Sequence, residues 1–323
     1  MRILLITLCA LLSALLCAAA PAQPSEPAAS KAILVTGASS GIGRKITEHL
    51  AAQGYIVYAT ARKEKDLKAL GAIKNVQPLR LDVTQPADID AAVEAVTKAG
   101  RGLYGLVNNA GVATFGTIAM MRPEEFDLSM KVNAYGPVMM IKAFTPLIVA
   151  AKGRIVNIGS PSGVTDGGGP DIIAYVMSKY AVEGLTNSLV LQMAPLGVQV
   201  SAVEPGAYQS DIDKNMLARL TEAEKANMIK VWGPPPDQAM FPEADEVARA
   251  VSQALFEPNP KRRYLAIPRN AKDRLNSRLP ERIIRYQMKQ LVQWNEGHAY
   301  TFDRATLIQF LDDALATARP RTE

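Results

Sequence analysis

With 323 residues, 48% of them hydrophobic, and a net charge of +5, the chain can bury a full core and is globular by composition. Its two cysteines, Cys9 and Cys17, both fall in an N-terminal apolar stretch, and its only imidazoles are His49 and His298. A disulfide or a thiolate metal site in the folded part is thereby excluded, a histidine-rich metal site and most serine-hydrolase arrangements are hard to assemble, and the mild charge gives no reason to expect nucleic acid.

Residues 1–30 read as a targeting segment. Met1 and Arg2 precede an apolar run from Ile3 to Ala20, followed by a Pro/Ala/Ser-rich stretch to Ser30. Ala20-Pro21-Ala22 has the small-x-small form of a signal-peptidase site, whereas the run is also about as long as the shortest membrane-crossing helix, roughly 17 residues. The expectation is an exported or membrane-associated chain, cytoplasmic if the segment is not used.

From Lys31 onward short β-branched runs alternate with helical patterns. Candidate strands are Ala32–Thr36, Tyr55–Thr60, Val76–Leu81, Gly105–Asn108, Arg154–Ile158, Val198–Val203 and Tyr264–Ile267. Between them, Ile42, Ile46 and Leu50 share one helix face, and Ile89, Val93 and Val96 another. Repeated strand-helix-strand units with buried, non-alternating strands predict an α/β fold: one Rossmann-type domain over residues 31–268, with a doubly wound parallel sheet of about seven strands. Ser210–Pro242 breaks the rhythm, is Met-rich and contains Pro234-Pro235-Pro236. Its place after a strand end is that of a substrate-covering insertion, because ligands of open α/β sheets bind outside the carboxyl ends of the strands.

Thr36-Gly37-Ala38-Ser39-Ser40-Gly41-Ile42-Gly43 follows the first strand and opens the first helix. Glycines there let backbone N–H groups and a helix N-terminus face a pyrophosphate. The second strand ends in Ala61-Arg62, with no carboxylate to hold a ribose diol, so Arg62 is free to meet a ribose phosphate, which favours NADP(H) over NAD. Asp82, after the third strand, is placed to accept from an adenine amino group or to cap the helix that follows. Tyr175 and Lys179, four residues apart on a helical pattern, stand on one face. There an ammonium favours the phenolate of a neighbour whose free pKa is roughly 10, as a general acid/base requires.

Taken in order, Thr36–Gly43, Leu81-Asp82-Val83, Asn108-Asn109-Ala110-Gly111, Val132-Asn133-Ala134-Tyr135-Gly136, Ile155–Ser160, Tyr175-x-x-Ser-Lys179 and Glu204-Pro205-Gly206 resemble the short-chain dehydrogenase/reductase family from about Lys31 to Ile267. The resemblance implies Tyr175 as catalytic acid/base, with Lys179 lowering its pKa and binding the nicotinamide ribose. It implies Ser160 as holder of the substrate oxygen and Asn133 as the group that positions a relay water. Gly37, Ser39, Ser40, Gly41, Ile42, Gly43, Arg62, Asp82, Val83, Asn109, Ala110, Gly111, Pro205 and Gly206, with Tyr175 and Lys179, would contact the cofactor. No metal is implied, and a homo-oligomer is.

Two departures stand out. Ser160 precedes Tyr175 by more than is usual, with Gly167-Gly168-Gly169 in the gap, which makes Ser162 a rival; and Gly159 and Ser210 stand where many members have Ser and Thr. Tyr58–Arg62, Ser178–Gly184 and Arg263–Pro268 resemble the 17β-hydroxysteroid and retinol dehydrogenase branch. That implies a lipophilic alcohol or ketone, for which Ile212, Met216, Leu217, Met228, Ile229, Val231 and Trp232 are candidate pocket residues. A catalytically silent nucleotide-binding or regulatory protein on the same fold is the alternative, and its mark would be a damaged Tyr/Lys pair.

Beyond residue 268 a helical extension is expected. Ten Lys/Arg against Asp273 and Glu281 lie between Lys261 and Lys289, and Glu281–Trp294 has an amphipathic pattern compatible with a membrane surface or with ordinary packing.

Overall fold

The computed structural model describes residues 31–164 and 171–268. The readings of the N-terminal segment, of Gly167-Gly168-Gly169 and of the basic C-terminal extension fall outside these residues.

Seven strands form one parallel sheet in the order β3-β2-β1-β4-β5-β6-β7. They are β1 (Ala32–Val35), β2 (Ile56–Ala61), β3 (Val76–Arg80), β4 (Gly105–Asn108), β5 (Arg154–Ile158), β6 (Gln199–Pro205) and β7 (Arg263–Ala266). All seven predicted strands are present, β4 and β5 with the expected ends and the others with ends shifted by at most two residues. The expectation of strands buried throughout fails at β3, which lies at the edge and leaves Gln77, Pro78 and Arg80 on or near the surface. Pro78 fits there, since an edge strand can lose one N–H donor without breaking a ladder on both sides.

On one face of the sheet pack α1 (Gly41–Ala52) and α2 (Glu64–Gly71), through Ile46, Leu50, Leu67 and Leu70. On the other lie α3 (Pro86–Lys98), through Ile89 and Val96, and two longer helices described next. The chain from Pro123 to Ala150 is α4 (Pro123–Ser129), a π-helical turn (Met130–Tyr135) and α5 (Gly136–Ala150). Among the described residues it is the one helical run long and apolar enough to cross a membrane. Its apolar side is spent on the core: Met140, Phe144 and Ile148 are fully buried, each burial worth about 1.5–3 kcal/mol.

The second of the longer helices is α6 (Ile173–Met193), and α9 (Asp245–Phe256) completes the first face with Val247, Val251 and Leu255. Between β6 and α9 the insertion folds as α7 (Ile212–Leu217) and α8 (Glu222–Trp232). Met216, Leu220 and Met228 from this insertion close on Phe115 as a small separate cluster above the carboxyl ends of β4 and β6.

Candidate active site

The strand order reverses between β1 and β4, and the glycine turn sits at that switch point. Gly37 and Gly41 have φ of +66° and +54°, a region L side chains avoid, and a Cβ on Gly37 would come within 2.8 Å of Ala110 Cα. The turn is held by its neighbours. Thr36 Oγ1 accepts from the backbone N–H groups of Asn109 and Ala110 at 2.9 Å, and Asn109 Nδ2 donates to the Thr36 and Gly37 carbonyls at 2.9 and 3.2 Å. α1 then starts with no acid in its first turn and no side-chain cap on Ser40, so its N-terminal N–H groups and dipole face an open cradle suited to a pyrophosphate.

Arg62, 65% exposed in its side chain, lies 3.6 Å from the Asp82 carboxylate at the rim of this cradle. Burial pushes the Asp82 carboxyl up, but the Thr84 N–H and hydroxyl, at 2.9 and 2.7 Å, and Arg62 outweigh it and hold Asp82 below the usual carboxylate range. The helix-cap alternative for Asp82 is corrected: Gln85 occupies the N-cap of α3, and Asp82 instead closes a local turn on Thr84. Its turn role leaves the adenine reading open.

α6 is anchored under the site by a buried chain of polar groups. Asn108 Nδ2 donates to Asn157 Oδ1 at 2.9 Å, Asn157 Nδ2 to Thr186 Oγ1 at 3.0 Å, and Thr186 Oγ1 to Val182 O at 2.8 Å. This ties β4, β5 and α6 together. One turn and two turns earlier on the helix, Lys179 and Tyr175 face the sheet's carboxyl edge. Lys179 Nζ donates to Ile158 O at 2.9 Å and lies 5.7 Å from the Tyr175 ring centre. Burial drives the Lys179 ammonium down to about 8, with Glu204 and Glu183 opposing. Ser160 follows β5 in extended conformation, and its Oγ accepts from the Ser162 N–H at 3.2 Å, which leaves the hydroxyl proton for another acceptor.

One cleft of about 640 Å³ joins these groups. Every cofactor and catalytic residue expected from sequence lines it except Asn133, and Ser160 and Ser162 both do. Asn133 sits behind, in the π-helical turn: its Oδ1 accepts from Val112 N–H, and its Nδ2 donates to Val112 O and to Ser178 Oγ. Of the apolar candidates, Ile212, Met216, Leu217, Met228 and Val231 line the cleft. Ile229 does not and is corrected: it is 46% exposed on the outer side of α8. Sequence reasoning missed Val112, Ala113, Ile172, Tyr208 and Phe241, which complete the apolar wall, and Asp213, whose carboxyl burial pushes up against a hydrogen bond from Gln238. The triple proline marked in the insertion does line the cleft.

Residues 31–221 match the short chain dehydrogenase family. Among curated proteins the chain is 37% identical over 230 residues to retinol dehydrogenase 5 of Mus musculus, covering 69% of each. It is 37% identical over 217 residues to the mitochondrial D-beta-hydroxybutyrate dehydrogenase of Bos taurus, covering 64% of this chain and 62% of that one. It is 32% identical over 271 residues to 11-beta-hydroxysteroid dehydrogenase type 2 of Ovis aries, at 75% and 62%. The chain thus spans somewhat under two thirds of the length of the hydroxybutyrate dehydrogenase it matches. A solved metagenomic short-chain oxidoreductase in complex with NADP superposes with a TM-score of 0.59 at 28% identity, over 75% of this chain and 99% of that one. The protein belongs to the short-chain dehydrogenase/reductase family and, within it, to the hydroxysteroid and retinol dehydrogenase-like branch.

Proposed function

We propose that the protein interconverts an alcohol and a ketone or aldehyde on a lipophilic molecule, with NADP(H) as the redox partner. The observation that carries this reading is that Tyr175, Lys179 and Ser160 open onto the same cleft as the glycine turn. A silent nucleotide-binding protein would have no use for that convergence.

The residues fit a dinucleotide. The turn and the α1 N-terminus would hold the pyrophosphate, Asp82 and Val83 would flank the adenine, Asn109–Gly111 would line the groove, and Pro205-Gly206 would back the nicotinamide. Arg62, with no carboxylate ending β2, supports a 2′-phosphate. When bound, the cofactor supplies or accepts the hydride.

The chain's own side chains then handle the oxygen and its proton. Ser160 donates to the carbonyl oxygen and fixes its distance from Tyr175. The Tyr175 hydroxyl gives its proton to that oxygen as it becomes an alkoxide, or as phenolate takes it back in the oxidative direction. Lys179, whose ammonium stabilises the phenolate, keeps this exchange near neutral pH. The Asn133 amide is already committed to Val112 and Ser178, so a relay water held by Asn133 would rest on its backbone carbonyl, which the π-helical turn moves off the regular helical ladder.

The lipophilic substrate is supported by walls of Met216, Leu217, Met228, Val231 and Phe241, and by the retinol and hydroxysteroid names of the relatives. Nicotinamide absorbance followed with NADPH and NADH against steroid, retinoid, fatty-chain and short hydroxy-acid substrates tests it. Turnover of the apolar set with NADPH is expected. Turnover of short hydroxy acids alone, or with NADH alone, overturns the corresponding half of the reading.

A further inference from the structure

Behind Lys179 lies a group of charges that the chemistry above does not use. Glu183, one turn along α6, is 5% exposed, and Glu204, on β6 immediately before Pro205-Gly206, is fully buried. Arg263 on β7 reaches Glu183 Oε2 at 2.8 Å through Nε and Nη2, and Nη2 also meets Asn187 Oδ1 at 2.6 Å. Glu183 Oε1 and both Glu204 carboxyl oxygens have no donor from any other side chain or backbone group among the described residues. The two carboxyls converge on Gly159: a Cβ there would lie 2.7 Å from Glu183 Oε1 and would collide with the Glu204 carboxyl. The glycine that stands where many relatives of the fold carry serine therefore makes room for an acid pair.

Two carboxyls that face each other in a dry interior repel as anions, and only Glu183 is in ion-pair contact with a cation, Arg263, while the Lys179 ammonium is turned to the Ile158 carbonyl. Arg263 is bound to Glu183, which assigns the negative charge to Glu183 and the remaining proton to Glu204. The surroundings agree. Glu183 and Lys179 face Glu204 from α6 and Arg263 faces it from β7, while β5 contributes only the uncharged Gly159. α9 packs on the opposite face of the sheet. Burial, the largest influence, and Glu183 push the Glu204 carboxyl well up against the pull of Arg263 and Lys179.

We propose that Glu204 is a positioning residue kept as the neutral acid, donating its proton to Glu183, and that this pair governs the charge on Lys179. The proposal rests on the assignment of Lys179 to the proton-transfer machinery. With Glu204 neutral, Arg263 offsets Glu183, and the support that a Glu204 carboxylate gives the ammonium is withheld. As pH rises, loss of the Glu204 proton places an extra negative charge beside Lys179 and keeps the ammonium protonated over a wider range. The pair thus protects the Tyr175/Lys179 couple on the alkaline side.

The test needs neither substrate nor turnover in its first arm. Infrared spectra of the cofactor-free protein at neutral pH should show the carbonyl-stretch band of a protonated carboxylic acid, shifted in heavy water, and Glu204→Gln should remove it. In the second arm, Glu204→Gln keeps a donor toward Glu183 but cannot ionise, so the alkaline limb of kcat/KM should move down by about one pH unit, a shift that loss of packing alone would not give. No carboxylic-acid band in the folded parent protein, or a band that survives in the variant, overturns the proposal whatever the enzyme's activity. A missing band counts against Glu204; missing turnover with the band present counts against the oxidoreductase reading. Should Glu204→Gln not fold, titration of the parent's band decides: it should fade as pH rises, and a band that never appears contradicts the assignment.

Discussion

Asn133 and Val112 exchange two hydrogen bonds of 2.8 Å: the Val112 N–H donates to Asn133 Oδ1, and Asn133 Nδ2 donates to the Val112 carbonyl. The amide thereby acts as a strand partner for a loop that leaves β4, and it joins this loop to α6 through Ser178 at 2.9 Å. Asn133→Ala strands Val112 N–H and C=O together. The two groups are partly buried at the cleft wall, so a loss of at most about 1–3 kcal/mol for each is expected, read as a lower urea midpoint in the absence of cofactor. An unchanged midpoint would show that the side chain is dispensable for the fold.

The insertion over the cleft is fastened in a similar way. Arg219, just beyond α7, donates to Glu125 at 3.1 and 3.2 Å and to the Ala113 carbonyl at 2.5 Å, while Arg122 reaches Glu224 at 3.1 Å and the Arg219 carbonyl at 3.0 Å. Glu125 is 5% exposed, so removing Arg219 leaves a buried carboxylate with only the more distant Arg122, at 3.7 Å, to offset it. Arg219→Ala should speed amide exchange in α7 and α8 and raise KM for apolar substrates more than it weakens the cofactor. Exchange rates equal to the parent's would mean that the clasp does not hold the insertion.

Lys179 is a group whose folding cost can be read against pH. Its pKa falls from 10.5 to about 8 in the folded chain because burial disfavours the ammonium. The penalty is absent above the unfolded value, grows as pH falls toward about 8 and is constant below it. Lys179→Met removes the charge, so the variant should exceed the parent in unfolding free energy most at pH below about 8, with the gain shrinking toward pH 10.5. Urea unfolding across that range checks the sign; a variant less stable than the parent at neutral pH would show that the contacts of the ammonium outweigh its burial.

How much of this the sequence displays depends on whether a feature is local. The seven strands, the glycine turn and the Tyr175/Lys179 spacing are carried by contiguous residues, and each is found where its pattern places it. The acid pair is not local: Glu183, Glu204 and Arg263 are separated by tens of residues, and only the β6–β7 pairing brings them to one side of α6. The π-helical turn at Met130–Tyr135, which packs against α6, has no compositional mark either. Ile229 shows the limit of an apolar list without a helix phase: Met228, its neighbour, is 4% exposed and Ile229 is 46% exposed.

The proposed preference for NADP(H) is tested at Arg62. Arg62→Ala should weaken NADPH by about 10- to 150-fold, the worth of a charge-assisted contact of roughly 1.5–3 kcal/mol, and leave NADH nearly unchanged. Fluorescence titration with the two nucleotides separates the outcomes; equal losses would show that Arg62 does not read a ribose phosphate.

The central claim, that Tyr175 moves the proton in a cleft shared with the dinucleotide, is tested most directly by turnover and NADPH binding measured on Tyr175→Phe. On that claim the hydroxyl carries the proton and the ring only packs, so kcat should fall by about 100- to 10,000-fold while NADPH affinity stays within a few-fold of the parent. A variant that turns over within a few-fold of the parent would contradict the assignment.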